Sequence, residues 1–304
     1  MKSLRGVFPI LAIPFDRNGA VDEMSLRRLV RFELDAGVDG LGLFGMASEV
    51  YALSDAERDR VASIVMEEVG SKVPVIMGSG STGIEPAVAL SKKMERAGAA
   101  CLMVVPPYWM KPDPAQAEAY FTAVAAAVDI PIQIQDAPNA TGVTLPTATL
   151  VKLAREVDNI QYVKVETNPS LPKITEIIHQ SEGRLAVFGG GNGVYMYEEL
   201  NRGAVGTMPS CEFPDVCVRI WRALQAGDGA TARREFVRHL PLMRYGTQPG
   251  IAMAIHKEIL RMGGIFETAT VRIPNRDIDE TTRQELKELI ADMDLLALRW
   301  KQRS

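Results

Sequence analysis

The sequence predicts an α/β fold, a (β/α)8 TIM barrel followed by a C-terminal helical extension. Three observations predict it. Eight short, nearly continuous apolar runs recur along the 304-residue chain, as strands of a parallel sheet do when both faces are covered. Stretches with helical periodicity lie between them, giving strand–helix units of roughly 20–35 residues, the repeat such a barrel requires. Further helical stretches follow the last run without a linker or low-complexity segment.

The first run is "GVFPILAIP" at 6–14. A helix over 22–37 follows, with Leu26, Leu29, Val30 and Leu34 on one stripe. The second run is "GLGLFG" at 40–45, and the helix over 54–70 opens on Ser54 as N-cap with Glu57 three residues later. The remaining runs are "VPVIMGSG" (73–80), "ACLMVVPP" (100–107), "IPIQIQDAP" (130–138), "IQYVKVE" (160–166), "LAVFGGG" (185–191) and "AVGTMPS" (204–210). Gly or Pro punctuates most joins. The tail from about 214 to 300 is helical, and the last barrel helix lies within its start. The expected division is a barrel over 1–225 and an extension over 226–304 packed on it. A doubly wound open sheet ranks lower, because no G-x-G-x-x-G stands at a first strand–helix turn.

Composition narrows the function. A formal charge of −4, with 47% hydrophobic and 24% charged residues, is that of an ordinary globular protein. It argues against nucleic acid or a membrane surface as partner. No apolar stretch is long enough to cross a bilayer. Three cysteines (Cys101, Cys211, Cys217) without ligand spacing suit free thiols in a reducing cytoplasm. His179, His239 and His256 fall in helical stretches with no ligand spacing, so neither a metal nor another cofactor is expected.

In a barrel of this kind chemistry sits at the C-terminal ends of the strands. The unusual residues gather there: Gly45-Met-Ala-Ser-Glu49, Gly78-Ser-Gly80, Pro106-Pro-Tyr108, Gln135-Asp-Ala-Pro138, Lys164 to Thr167 and Gly189-Gly-Gly-Asn192. Alternation along the sixth run puts Tyr162, Lys164 and Glu166 on one face and Val163 and Val165 on the other. The valines suit packing against helices, so the lysine points inward. Desolvation there favours the neutral amine, which can form an imine with a ketone or aldehyde. The imine withdraws electrons from the neighbouring carbon, and Glu166 can move the proton. An ion pair filling a polar barrel layer reads equally well from residue type alone. The Gly45–Glu49 turn offers backbone N–H groups to a carboxylate or phosphate, or is a plain connection. The glycines at 189–193, Gly190 among them, let a ligand approach the backbone closely or form a tight turn.

These residues together resemble the dihydrodipicolinate synthase / N-acetylneuraminate lyase family. The resemblance rests on G-x-x-x-E after strand two, P-P-Y after four, a P-x-x-x-x-x-x-P strand five ending in T-G, and the isolated lysine on strand six. It runs over essentially the whole chain. It implies a Schiff-base lysine at Lys164, a carboxylate-binding turn at Gly45, Met46, Ala47 and Ser48, and pyruvate or another 2-keto acid as substrate. It also implies Tyr108 near a subunit boundary and a homotetramer of two tight dimers.

The departures carry more information than the matches. Where the family usually has a proton-relaying tyrosine on strand five, this chain has Gln135. Hydroxyl residues of the strand-two turn are replaced by Met46 and Ala47, although Ser48 adds a hydroxyl. Ala140 stands where the synthases carry an arginine, and Glu166 stands where a small residue is usual. These changes disfavour dihydrodipicolinate synthase itself. "QDAP" with "K-[VI]-E-T" resembles the family's 2-keto-3-deoxy-L-arabonate dehydratase branch, whose product is 2-oxoglutarate semialdehyde. The expected function is therefore dehydration of a 2-keto-3-deoxy sugar acid, with Lys164 forming the imine, Glu166 shuttling the proton, and Gln135 and Asn192 contacting hydroxyls. The alternatives are an aldolase releasing pyruvate, in which Tyr108 or a water replaces the missing tyrosine, and a barrel that binds a keto acid without turnover.

Overall fold

The computed structural model describes residues 3–300. The first two residues, and residues 301–304 at the end of the expected extension, lie outside the described residues. In chain order the elements begin β1 Gly6–Val7, α1 Glu23–Ala36, β2 Leu41–Leu43, α2 Asp55–Val69, β3 Val75–Gly78, α3 Ile84–Arg96, β4 Cys101–Val104 and α4 Pro114–Ala125. They continue β5 Ile132–Asp136, α5 Pro138–Thr141, α6 Thr147–Glu156, β6 Ile160–Val165, α7 Ser170–Ser181, β7 Ala186–Gly189, α8 Met196–Asn201 and β8 Gly206–Thr207. The tail is α9 Pro214–Gln225, α10 Gly229–Tyr245, α11 Ala252–Met262, α12 Glu280–Ile290 and α13 Leu296–Arg299.

Each predicted apolar run contains one strand. The eight form a single sheet in the order β1-β8-β7-β6-β5-β4-β3-β2. Ile10, just beyond β1, makes parallel bridges to Gly42 on one side and Ser210 on the other. This is a nearly closed (β/α)8 TIM barrel with C-terminal helices.

By internal packing the chain divides into two compact units. One holds Pro74–Gly191 and Tyr195–Met208 with the chain up to Arg5, and the other holds Gly6–Val73, Asn192–Val194 and the chain from Pro209 onward. The first contains β3 to β8, paired in parallel throughout. Its strands are short and almost wholly buried, even β5, which carries Gln133, Gln135 and Asp136.

The second unit shows the local signals working as read. Ser54 and Glu57 form a capping box at the start of α2, each side chain serving the other's backbone. Asp22 caps α1 by accepting from the Ser25 N–H at 3.0 Å. The stripe on α1 differs from expectation. Leu26, Leu29 and Val30 are buried, as are Ser25 and Phe32, but the position that completes the stripe is the buried Glu33, while Leu34 is half-buried. Positions 26, 29, 30 and 33 are the i, i+3, i+4, i+7 set of one helix face, and the carboxylate at 33 concealed it from a count of apolar residues.

Candidate active site

The centre of the first unit is the end of β6. Lys164 opposes Gln135 of β5 on one side and Phe188 of β7 on the other. Parallel strands in register point opposed side chains to the same face, so the Lys164 and Gln135 side chains emerge together. Lys164 is 3% exposed. Glu166 lies one residue beyond the strand, and its N–H donates to the Asp136 carbonyl at 2.9 Å, which continues the β5–β6 ladder.

Three groups fix the Glu166 carboxylate. The Lys164 Nζ stands 3.3 Å from Oε1. The Gln135 Nε2 donates to Oε2 at 2.7 Å, and the Gly191 N–H donates to Oε1 at 3.2 Å. Burial pushes this carboxyl up, but the Lys164 charge, the Gln135 amide and the Gly191 N–H together hold it below its ordinary range. At neutral pH Glu166 is therefore a carboxylate beside the Lys164 Nζ. A fifth of its side chain remains exposed.

On the opposite face of the same strand ends lies a second lysine pair. Asp136 is fully buried, with the Lys173 Nζ 2.6 Å from its Oδ2. Thr167 donates its hydroxyl to the same oxygen, and Lys173 also donates to the Leu145 carbonyl at 2.6 Å. The ends of β5 and β6 are thus clamped from behind, while Gln135, Lys164 and Glu166 occupy the front.

The other expected positions distribute as follows. A Cβ at Gly190 would lie 2.4 Å from Glu166 Cγ, so this glycine makes room for the Glu166 side chain. Tyr108 is 44% exposed in the loop after β4. In the second unit, Met46 to Ser48 form a single 3-10 turn that begins at Gly45. The Ser48 N–H donates to the Gly45 carbonyl at 3.1 Å and its hydroxyl donates to the Leu11 carbonyl at 2.7 Å. The expectation that the Ser48 hydroxyl binds a carboxylate is corrected: its one proton is already committed to backbone. Met46 is exposed and Ala47 half-buried. Asn192 takes a left-handed conformation, φ +61°, donates to the Met243 carbonyl at 2.9 Å and accepts from the Ser210 N–H at 3.1 Å. Its amide ties the loop after β7 to neighbouring backbone.

Sequence reasoning missed the Gly191 N–H, which carries no side-chain signal, and several buried acids. His256 pairs with Glu212 at 2.8 Å inside the second unit. Lys257 and Glu49 form an ion pair whose side chains are both fully buried. Among the described residues no group of three His, Cys, Asp or Glu side chains is placed to hold a metal ion, and no helix is long and apolar enough to cross a membrane.

A buried lysine beside an ionised carboxylate at strand ends, within this fold, agrees with the comparison to known proteins. The model of the dihydrodipicolinate synthetase family matches residues 3–293. The chain belongs to that family. It is 33% identical over 301 residues to an L-2-keto-3-deoxyarabonate dehydratase of Azospirillum brasilense, covering 97% of this chain and 96% of that protein. Among solved structures it is similar to a dihydrodipicolinate synthase from Rhodopseudomonas palustris, with a TM-score of 0.89 and 29% identity over 95% of this chain and 97% of the other. A prophage protein of the same family from E. coli K12, solved with pyruvate, superposes with a TM-score of 0.90 at 26% identity, covering 96% and 99% of the two chains. Family membership makes the protein a relative of Schiff-base lyases that act on small keto acids. The dehydratase and the synthase stand at similar distances, so the choice of reaction turns on the site's own residues.

Proposed function

We propose that the protein is a Schiff-base hydro-lyase that dehydrates a 2-keto-3-deoxy sugar acid such as 2-keto-3-deoxy-L-arabonate. The observation that carries this reading is Glu166: a carboxylate 3.3 Å from Lys164, held by the amide of Gln135. Gln135 stands where a phenol would relay protons in an aldol cleavage, and an amide cannot take that role. The similarity to the A. brasilense dehydratase supports the same reading.

The chemistry follows from the pair. Lys164 must lose a proton before it can attack a ketone, and Glu166 is within reach to take it. The amine adds to C2, water leaves, and a protonated imine replaces the ammonium charge. The imine acidifies C3. Glu166, again a carboxylate, removes a C3 proton, and the electron pair forms an enamine. The enamine expels the C4 hydroxyl group, which leaves as water with the proton that Glu166 has just taken. A proton moves from C5 to C3, the C4=C5 enol so formed passes its hydroxyl proton to C4 and becomes the aldehyde, and hydrolysis of the imine returns Lys164 and releases the semialdehyde. In this reading the Gln135 amide lies toward the substrate's hydroxyls. Assembly as two tight dimers fits the exposed apolar loop Tyr108, Trp109 and Met110 after β4, 44%, 81% and 79% exposed.

Borohydride trapping with 2-keto-3-deoxy-L-arabonate, read by peptide mass, tests the reading. The expected adduct sits on Lys164 and lacks one further water relative to the intact sugar acid. A pyruvate-sized adduct instead assigns an aldolase. No adduct with either the sugar acid or pyruvate removes the imine mechanism.

A further inference from the structure

The end of β7 holds two carboxyl groups, one on each side of it. A Cβ on Gly190 would strike Glu166, and a Cβ on the adjacent Gly189 would lie 1.9 Å from Oε2 of Glu199. Consecutive positions of an extended chain point to opposite faces. The two glycines thus form two notches back to back, one filled by Glu166 from the front and the other by Glu199 from behind. Glu199 comes from α8 and is 2% exposed. Ser170, at the start of α7, donates its hydroxyl to Glu199 Oε1 at 3.0 Å. Oε2, the oxygen in the notch, is buried without a hydrogen-bond partner. The Thr207 hydroxyl is likewise buried and unpartnered, and Thr207 is the register partner of Gly189 on β8.

We propose that Glu199 is a positioning residue for the acid/base carboxylate: seated behind the Gly189–Gly190 strand end, it sets by its own charge how tightly Glu166 holds a proton. This rests on the reading of Glu166 given above. The charged groups acting on Glu199 are Glu166 across the strand end and Glu198 on its own helix, both acidic; from α7 and β8 it meets only hydroxyls. Burial first, and then these two carboxylates, push Glu199 up to about 7, against the Ser170 hydrogen bond. Below that pH Glu199 is neutral and adds no charge behind Glu166. Above it a second negative charge stands behind Glu166, and like charge strengthens its grip on a proton. A stronger base removes the C3 proton faster. A gain of a few-fold in kcat from about pH 6 to about pH 8 is therefore expected.

The test uses the full-length protein and two variants. Infrared spectra of wild type across pH 5–9, a range of about two units either side of the expected midpoint, should show a buried neutral-carboxyl C=O band that titrates near 7. Glu199→Gln, which keeps the Ser170 bond, should lose that band and flatten the rise of kcat with pH. Ser170→Ala removes the bond that favours the charged form, so it should move both the band's titration and the kcat inflection to higher pH. Persistence of the band and inflection in Glu199→Gln overturns the proposal. So does an unmoved inflection in Ser170→Ala, which also carries the test if the first variant does not fold. The infrared band is read without substrate, so failure of the proposed dehydration leaves this measurement intact. A band that behaves as expected while pyruvate trapping on Lys164 fails would fault the reaction rather than the placement of Glu199.

Discussion

Among the described residues two Lys–Glu pairs are buried, and their surroundings differ. Lys164 faces Glu166 at 3.3 Å, and the glutamate keeps a fifth of its side chain exposed. Lys257 of α11 contacts Glu49, and neither side chain has any exposed surface. The sealed lysine is further committed: it donates to the Thr270 carbonyl at 2.9 Å and lies 4.1 Å from the centre of the Phe15 ring. Its glutamate also accepts from the Arg272 N–H and the Asn275 amide, both at 2.9 Å. Burial lowers Lys257 to about 8 against the pull of Glu49, yet no path leads a ketone to its amine. Desolvation alone therefore does not make a reactive lysine. The difference is exposure: Glu166 keeps a fifth of its side chain open, while Glu49 has none.

The largest expected effect separates the two pairs outright. Lys164→Ala should abolish turnover and borohydride adducts at a smaller stability cost than the loss of Lys257, since Glu166 is a fifth exposed and keeps the Gln135 amide and the Gly191 N–H; measurable activity would place the imine elsewhere. Next, Glu166→Gln should cost roughly two to four orders of magnitude in kcat. A loss under tenfold would make Glu166 a structural partner like Glu49. Lys257→Met should do the reverse of Lys164→Ala: it leaves Glu49 buried without its cation, at a cost of about 3–5 kcal/mol in chemical denaturation, and imine trapping on Lys164 should persist in the folded protein. Adding Glu49→Leu to Lys257→Met should recover much of that loss, because an uncompensated charge costs more than an absent pair. An additive double variant would mean that the network's other contacts dominate.

The smallest effect concerns the rim of the sealed network. The Arg272 guanidinium hydrogen-bonded to Glu57 holds that carboxyl down at about 2, from an ordinary 4.5. The folded-state value lies below the unfolded one, so the pair contributes stability above about pH 4.5, and that contribution is lost as pH falls toward about 2. Glu57→Gln should flatten the acid limb of stability in that window, as read by denaturation midpoints at pH 2–5, a range that brackets the two values.

Much of this was legible in the amino-acid order. The strands are apolar on both faces and helices separate them, so the barrel could be counted from hydrophobic runs. Period-two alternation placed Lys164 and Glu166 on one face of β6, because backbone pleating is a local property. The capping box at Ser54 and Glu57 was readable for the same reason. The buried acids were not. Glu33 sits on the buried stripe of α1, and Lys257 lies in a helix buried on nearly every side, yet in sequence both look like ordinary charges on amphipathic helices.

The sequence by itself determined the fold and the placing of Lys164 beside the Glu166 carboxylate, since both follow from composition and from spacing along one strand. Only the tertiary structure decided which charged residues are sealed and which are open. Gln135, Gly191 and Glu199 come from separate elements and converge on Glu166 only when β5, β6 and β7 lie side by side. Burial and partnership depend on what the rest of the chain brings near. That is why Lys257 and Lys164, each a lysine near a glutamate in the folded chain, end as a structural pair and a chemical one.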